Sequence, residues 1–401
     1  MRILFVSDVF FPRVNGVSTS IQTFRRELTS LGHETVLLAP EYPTTYADEP
    51  GILRIGSRRV PLDPEDRAMR WTQLRAQHRR LAGHSFDLVH IQTPLLAHYA
   101  GVSLARRWGI PAVATYHMLF EEYLYHYAKL VPRGAMRALA RGFSRSQCNA
   151  LAAVLVPSVA MRETLERYGV EVPIAVVPTG IRLPEFAGGD GVRFRACHGI
   201  ERGRPVALFV GRVAFEKNIE FLVRMLVHAR REIPQILLII CGEGPAERAL
   251  ARLVESLGLS GNVQFVGYLD RASELLDCYR ACDVFVFASR TETQGLVLLE
   301  AMTLGVPVVS TAVMGTRDIL DPGKGALVVR EDEREFAAAV VKVVSDGSLR
   351  ARLSQEAVDY AKTWDAPNTA SRLAAFYRQV TSRTPVVSAP PGAEARRTQA
   401  R

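Results

Sequence analysis

Ser289-Arg-Thr-Glu-Thr-Gln-Gly-Leu-Val-Leu-Leu-Glu-Ala-Met-Thr-Leu-Gly-Val-Pro-Val-Val309 is the stretch from which the fold is read. It follows an apolar run at 284–288 with the length and composition of a buried strand. Gly295 and the run Leu296-Val297-Leu298-Leu299 open a helix, and Gly305-Val306-Pro307 stops it. The order strand, polar loop, helix, strand is the repeating unit of a doubly wound parallel sheet. Glu292, Thr293 and Gln294 lie in the loop, facing a helix start whose free N–H groups and positive dipole end favour an anion. Glu300 sits five residues into the helix, on a turn still close to the loop.

Two carboxylates eight residues apart, with an anion-ready helix start between them, admit two readings on spacing alone. They are a solvated loop residue and an exposed helix residue, or they hold a sugar and a ribose on either side of a diphosphate. The rest of the chain bears on the choice.

The same alternation runs through the first half. Residues 2–7 read as a strand and a turn runs from Asp8 to Gly16. A helix carries Val17, Ile21, Phe24 and Leu28 on one face, and a strand follows at 35–39. The first turn has Asn15-Gly16 and no Gly-x-Gly-x-x-Gly, which argues against a dinucleotide-dependent oxidoreductase. Gly16 is either a turn glycine or a point where backbone approaches a bound diphosphate. Further strands are expected at 88–91, 112–115, 153–156 and 174–177. Tyr116-His117 ends one of them, where parallel sheets place their ligands. His117 is a hydrogen-bonded structural histidine or a functional one. Glu121, Glu122, Tyr123, Tyr125, His126 and Tyr127 then form a polar and aromatic stretch suited to an acceptor-side surface.

A first domain at 1–180 closes on Pro178-Thr179-Gly180, and residues 181–203, with Pro184, Gly188, Gly189, Gly191 and Gly199, read as linker. A second domain at 204–364 opens with a strand at 206–211, then Arg212 and Lys217. Two cations five apart on a loop entering a helix clamp two phosphate groups, or are plain surface charge. Gly242-Glu243-Gly244 follows another strand, a weak signal by itself. The tail at 383–401 lacks periodicity and is expected to be disordered.

With 401 residues and 48% apolar content the chain can bury two sizeable cores. No apolar run reaches the roughly 18 residues of a membrane span, and the N-terminus opens directly into a strand, so a cytoplasmic protein is expected. The five cysteines have no metal-ligand spacing and read as reduced structural thiols. Of the net charge of +9, residues 1–180 hold 21 Lys and Arg against 15 Asp and Glu, while residues 181–380 balance at 25 each. Arg133, Arg137, Arg141 and Arg145 form a stripe at i, i+4 spacing. Arg67, Arg70, Arg75, Arg79 and Arg80 form a second cluster on another predicted helix. Such faces are solvated, with stems over a core, or lie peripherally on an anionic membrane. No nucleic-acid-binding motif accompanies them.

Taken in order, these motifs resemble the retaining glycosyltransferases of the family-4 type, which include phosphatidylinositol mannosyltransferases and diacylglycerol glucosyltransferases. The resemblance covers roughly residues 1–380 and rests on Asn15-Gly16, Tyr116-His117, Pro178-Thr179-Gly180-Ile181, Gly211-Arg212 with Lys217-Asn218, Gly242-Glu243-Gly244, and Glu292-x7-Glu300. It implies a GT-B fold, two facing Rossmann-like domains with the active site between them, and a last helix at 365–382 crossing back to the first domain. It also implies that Arg212 and Lys217 bind the donor diphosphate and that Glu292 bonds sugar hydroxyls. Backbone amides of Thr293, Gln294, Gly295 and Leu296 would meet sugar and phosphate, with Gly244 nearby. Glu300 would hold the ribose, Gly16 approach the diphosphate, and His117 lie beside the sugar.

The implied reaction moves a hexose from a nucleotide sugar such as UDP-glucose or GDP-mannose to a lipid or lipid-linked acceptor. It runs without metal or other cofactor, at the cytoplasmic face of a membrane. A soluble acceptor, or a catalytically silent membrane-associated protein, are the competing readings. Many relatives carry Glu-Gly-Phe-Gly where this chain has Glu292-Thr-Gln-Gly295, and the two polar side chains are expected beside the sugar.

Overall fold

The computed structural model describes residues 1–44, 46–60, 63–81, 83–119 and 133–383, without the side chains of 63–66, 78, 133 and 135. The first half carries strands β1 (Arg2–Val6), β2 (Glu34–Pro40), β3 (Ile52–Ile55), β4 (Ser57–Val60), β5 (Asp63–Met69), β6 (Leu88–Ile91), β7 (Ala112–Thr115), β8 (Ala153–Val156) and β9 (Ile174–Val176). Seven of them form one sheet in the order β3-β2-β1-β6-β7-β8-β9, with every pairing parallel. The second half carries β10 (Val206–Val210), β11 (Leu237–Cys241), β12 (Val263–Gly267), β13 (Val284–Phe287), β14 (Val308–Ser310) and β15 (Ala326–Val328). These form a second all-parallel sheet, ordered β12-β11-β10-β13-β14-β15.

Both faces of each sheet are covered, which is why the strands are unbroken apolar runs rather than alternating ones. On β1, Ile3 and Phe5 enter one core layer and Leu4 and Val6 the other, all fully buried. The layer holding Ile3 and Phe5 is closed by the helix Gly16–Ser30, through Ile21, Phe24 and Leu28, and by the last helix, Ala366–Arg383, through Leu373, Ala374 and Tyr377. The C-terminal helix therefore belongs to the first sheet's core although it follows the second sheet in sequence.

Two features hold that return. Ile181 N donates to Trp364 O at 2.7 Å and Ala366 N to Ile181 O at 3.0 Å, so the outgoing and returning chains pair. They pass so closely that a Cβ on Gly180 would lie 2.5 Å from Ala366 Cα, which excludes any residue but glycine. Further along the helix, the Tyr377 hydroxyl lies 2.5 Å from His90 Nδ1, and His90 Nε2 lies 2.7 Å from Thr115 Oγ1. His90 is fully buried, and burial holds its pKa well below 6.5, so both nitrogens of a neutral ring are satisfied by hydroxyls.

Two sequence expectations need correction. Residues 181–203 are not an irregular linker: Gly191–Cys197 is a helix, and Phe186, Phe194 and Ile200 are buried in the second core. Asp277 fastens it, accepting from Asp190 N at 2.6 Å and from Arg193 Nε at 2.9 Å. Glycines suited to turns concealed the short apolar periodicity. The second basic cluster is likewise not on one helix. Arg67 lies on β5, opposite Arg59 in an antiparallel hairpin with β4, and Arg70 precedes the helix Trp71–Leu81 that carries Arg75, Arg79 and Arg80. The polar-aromatic stretch from Glu121 to Tyr127, and the tail beyond residue 383, lie outside the described residues.

Tyr377→Phe leaves the His90 ring with one buried nitrogen unpaired. It is expected to cost about 1–3 kcal/mol, measured by urea unfolding; an unchanged midpoint would show that the hydroxyl does not hold the helix.

Candidate active site

Each sheet reverses strand order once, between β1 and β6 in the first and between β10 and β13 in the second. Loops leaving the carboxyl ends of such strands diverge and leave a crevice. The chemistry-bearing motifs sit on those loops. After β10 the chain turns at Gly211 into Arg212, then through a short 3-10 turn, Phe215–Lys217, to Asn218. Asn218 adopts a left-handed conformation (φ 56°) and its Nδ2 donates to Ala288 O at 3.2 Å, tying the β10 loop to the β13 loop. The loop after β11 packs on that of β10: Val213 N donates to Glu243 O at 2.8 Å, and a Cβ on Gly242 would fall 2.0 Å from Gly211 O. Gly244 follows against the Val213 backbone. The Gly-x-Gly is thus required by loop-on-loop packing, whatever binds there.

The β13 loop brings Lys217 and Glu292 together. Lys217 Nζ donates to Glu292 Oε2 at 2.6 Å, with about a fifth of each side chain exposed. The pair is part-buried, with enough of each side chain at the surface for a ligand in the crevice to reach it. Arg212 is exposed on the same loop. Gly295, at φ 96°, then caps the helix Leu296–Thr303, with no side chain shielding its N-terminal N–H groups.

Thr293 and Gln294 behave differently from the sequence expectation. Thr293 Oγ1 donates to His117 O at 2.8 Å. Gln294 is buried; its Oε1 accepts from Thr179 N at 2.9 Å and its Nε2 donates to Thr179 O at 2.7 Å. Both side chains are hydrogen-bonded to backbone of the first domain. Their backbones remain at the helix start. Asp318 adds a third strap, accepting from Val159 N at 2.7 Å where the helix Val159–Arg167 begins.

Glu300 is 1% exposed. Its Oε1 accepts from Arg271 Nη2 and its Oε2 from the Tyr279 hydroxyl at 3.0 Å. Burial, reinforced by the Glu300 charge, raises the Tyr279 pKa far above its ordinary range and keeps the hydroxyl a donor. Neither Arg271 nor Tyr279 was singled out from sequence, because no local spacing connects residues 271, 279 and 300.

Across the crevice, His117 Nε2–H donates to Gln92 Oε1 at 2.9 Å, which fixes the tautomer and leaves Nδ1 with a lone pair. The ring keeps some surface, but its protein surroundings push its pKa down to about 4, so it is neutral at physiological pH. Gln92 was another residue missed, since a single amide after a strand carries no pattern. At the β1 turn, Asn15 Oδ1 caps the helix by accepting from Ser18 N at 2.9 Å. Gly16 has no left-handed φ, and a Cβ there would meet nothing within 4 Å. Neither backbone conformation nor packing thus requires glycine at this position.

On the helix Arg133–Asn149, Arg137, Arg141 and Arg145 are exposed on one face, with Met136 and Ala140 buried opposite; the Arg133 side chain is outside the description. Arg141 lies over the Tyr168 ring, 5.6 Å from its centroid.

Two family models match: Glycosyltransferase Family 4 over residues 14–184 and Glycosyl transferases group 1 over residues 193–359. The alpha-monoglucosyldiacylglycerol synthase of Streptococcus pneumoniae is 30% identical over 354 residues, 86% of this chain and 78% of that protein. The chain belongs to the family-4 glycosyltransferases. The GDP-mannose-dependent alpha-mannosyltransferase of Mycobacterium tuberculosis is 28% identical to this glycosyltransferase over 398 residues, 96% of this chain and 98% of that one. Among solved structures, sucrose-phosphate synthase from Thermosynechococcus elongatus has the same fold, with a TM-score of 0.77 over 95% of this chain and 99% of its own at 23% identity. The glycosyltransferase has the GT-B architecture of two Rossmann-like domains, and the match extends from the first Rossmann-like unit to the second.

Three imidazoles, His90 and His98 buried and His117 partly so, give the glycosyltransferase a pH signature. Desolvation pushes His98 and His117 down to about 4 and, with the neighbouring His117, holds His90 well below its ordinary value, so the unfolded chain takes up these protons from pH 6.5 downward before the folded chain does. Stability from these groups is present above pH 6.5 and lost toward pH 4. Asp8, pushed up to about 6 by burial, works in the opposite sense, since the folded chain binds its proton first. Thermal melts are expected to fall from pH 6.5 to pH 4, with His98→Gln flattening the slope by about one proton's worth. A variant curve parallel to that of the wild type would refute the assignment for His98.

Proposed function

We propose that this enzyme is a retaining hexosyltransferase that moves a glucose- or mannose-type sugar from a nucleotide diphosphate to a lipid or lipid-linked acceptor at the cytoplasmic face of a membrane. The observation that carries the donor half is the Lys217–Glu292 pair at the strand-order reversal of the second sheet. Both groups a sugar diphosphate needs are adjacent and are paired with each other. On binding, Lys217 and Arg212 turn to the diphosphate, and Glu292 is released to accept from sugar hydroxyls. The helix start at Leu296 supplies further N–H groups.

The reaction breaks the bond between the anomeric carbon and the diphosphate oxygen and forms one to the acceptor oxygen on the same face. The departing phosphate oxygen takes the acceptor proton, and Arg212, Lys217 and the helix dipole stabilise its growing charge. Neutral His117, its Nε2–H committed to Gln92, offers Nδ1 as an acceptor for a sugar hydroxyl from the opposite wall. Gly16 leaves the diphosphate room on that side. In this reading residues 1–180 form the acceptor side and 204–364 the donor side, with 365–382 joining them.

The lipid acceptor is supported by the name of the pneumococcal relative and by the exposed basic face of Arg137, Arg141 and Arg145. Among the described residues no helix is long and apolar enough to cross a membrane, so attachment would be peripheral.

UDP-, GDP- and ADP-sugars tested by thermal shift are expected to include one nucleotide class that stabilises the protein. Lys217→Ala and Glu292→Ala are each expected to abolish transfer at an unchanged ligand-free melting temperature. No stabilisation by any nucleotide sugar, or near-normal turnover in either variant, would sink the donor assignment. In flotation with phosphatidylglycerol vesicles, the wild type is expected to bind at low salt and release as salt rises. The combined Arg133, Arg137, Arg141 and Arg145 replacement should stay behind. Wild-type protein absent from the vesicles at low salt would favour a soluble acceptor.

A further inference from the structure

Glu300 does not lie open to the crevice. Tyr279, which holds its Oε2, is fully buried behind it, whereas Arg271, which holds its Oε1, keeps 29% of its side chain exposed. Any hydroxyl approaching Glu300 from solvent therefore meets Arg271 first. Among the described residues the guanidinium makes this one hydrogen bond, through Nη2. The rest of its planar fork of five N–H donors remains for a ligand.

Arg271 also leaves the same edge of the parallel sheet as the phosphate-facing loop. It follows β12, two strands from β10 in the sheet order, and the Arg212–Lys217 loop leaves β10. The half-exposed ring of Tyr268 stands between β12 and Arg271 on the same loop. Removing Arg271 alone would leave a buried carboxylate unpaired, so the pair is costly to break but can be shared: a carboxylate oxygen has two lone pairs, and each oxygen of Glu300 uses one.

Resting on the donor reading above, we propose that Arg271 is a specificity-determining residue for the nucleoside: it holds the Glu300 carboxylate in place and, with it, clasps the ribose hydroxyls of a ribonucleoside diphosphate. Arg271 provides donors to the hydroxyl oxygens while Glu300 accepts hydrogen bonds from their O–H groups, so the pair requires both hydroxyls of a ribose. A diphosphate alone does not touch it.

Calorimetric titration tests this with UDP, GDP and ADP, the 2′-deoxy form of whichever binds tightest, and inorganic pyrophosphate. The proteins are wild type, Arg271→Lys, and the double variant Arg271→Met with Glu300→Gln, which removes both charges and so strands no buried carboxylate. Ligand-free melts establish that each variant is folded. The wild type is expected to prefer the ribonucleotide over its deoxy form by tenfold or more. Arg271→Lys should lose most of that preference and bind the ribonucleotide at least tenfold more weakly, and the double variant should lose it entirely. Pyrophosphate affinity should stay within twofold throughout. An unchanged ribo-to-deoxy ratio in both variants, a wild type without the preference, or a parallel loss of pyrophosphate would each overturn the role of Arg271 while leaving the donor reading standing. A folded wild type that binds no nucleoside diphosphate would remove the donor reading, and this inference with it.

Discussion

The loop from Glu292 to Gly295 is bonded on three sides at once, and the arrangement of the site depends on it. Glu292 reaches Lys217 on the neighbouring loop, while Thr293 donates to the His117 carbonyl and Gln294 exchanges two hydrogen bonds with Thr179, both in the first domain. Gly295 then turns the chain into the helix Leu296–Thr303. A buried primary amide meeting a backbone N–H and C=O leaves nothing unsatisfied, and loss of either partner would strand a polar group at about 1–3 kcal/mol. The same four residues therefore tie the loop that carries Glu292 to the first domain.

Ion pairing divides the two signature carboxylates into different kinds. Glu292 keeps about a fifth of its side chain exposed and is paired with Lys217 alone among the described residues. Glu300 is shut in between Arg271 and Tyr279, where an unpaired charge would cost about 3–5 kcal/mol, so its partners must stay or be replaced by equally good ones. Identical residues at a fixed spacing thus do different physical work. The difference comes from burial, which neither residue sets by itself.

The connection between the domains is settled by a few atoms. Gly180 passes Ala366 at a distance no side chain permits, and the hydroxyl of Tyr377 reaches the ring of His90 nearly three hundred residues earlier in the chain. These contacts make the first domain depend on the C-terminal helix. Glu27 and Arg182 add a half-buried ion pair at 2.7 Å across the same junction, beside the hydroxyl contact of Ser20 with Thr179 at 2.7 Å.

Much of the fold was legible in the sequence because a parallel strand covered on both faces must be continuously apolar and a helix start needs an opening signal. Runs such as 206–210 and 237–241, and the turn at Gly295, announce themselves locally. Glu292, Glu300, Lys217 and His117 were legible as candidates through their place at strand ends and in a spaced motif. The short helix Gly191–Cys197 and the β4–β5 hairpin were not, since glycine-rich and arginine-rich stretches resemble loop and helix. Nor were the partners: Arg271 and Tyr279 for Glu300, Gln92 for His117, and Thr179 for Gln294. By itself the sequence determined where strands, turns and charged loops fall, because those follow from short-range periodicity and backbone sterics. Only the tertiary structure decided which polar groups are spent on holding the domains and which remain for a ligand, because burial and hydrogen-bond satisfaction depend on segments brought together from distant parts of the chain.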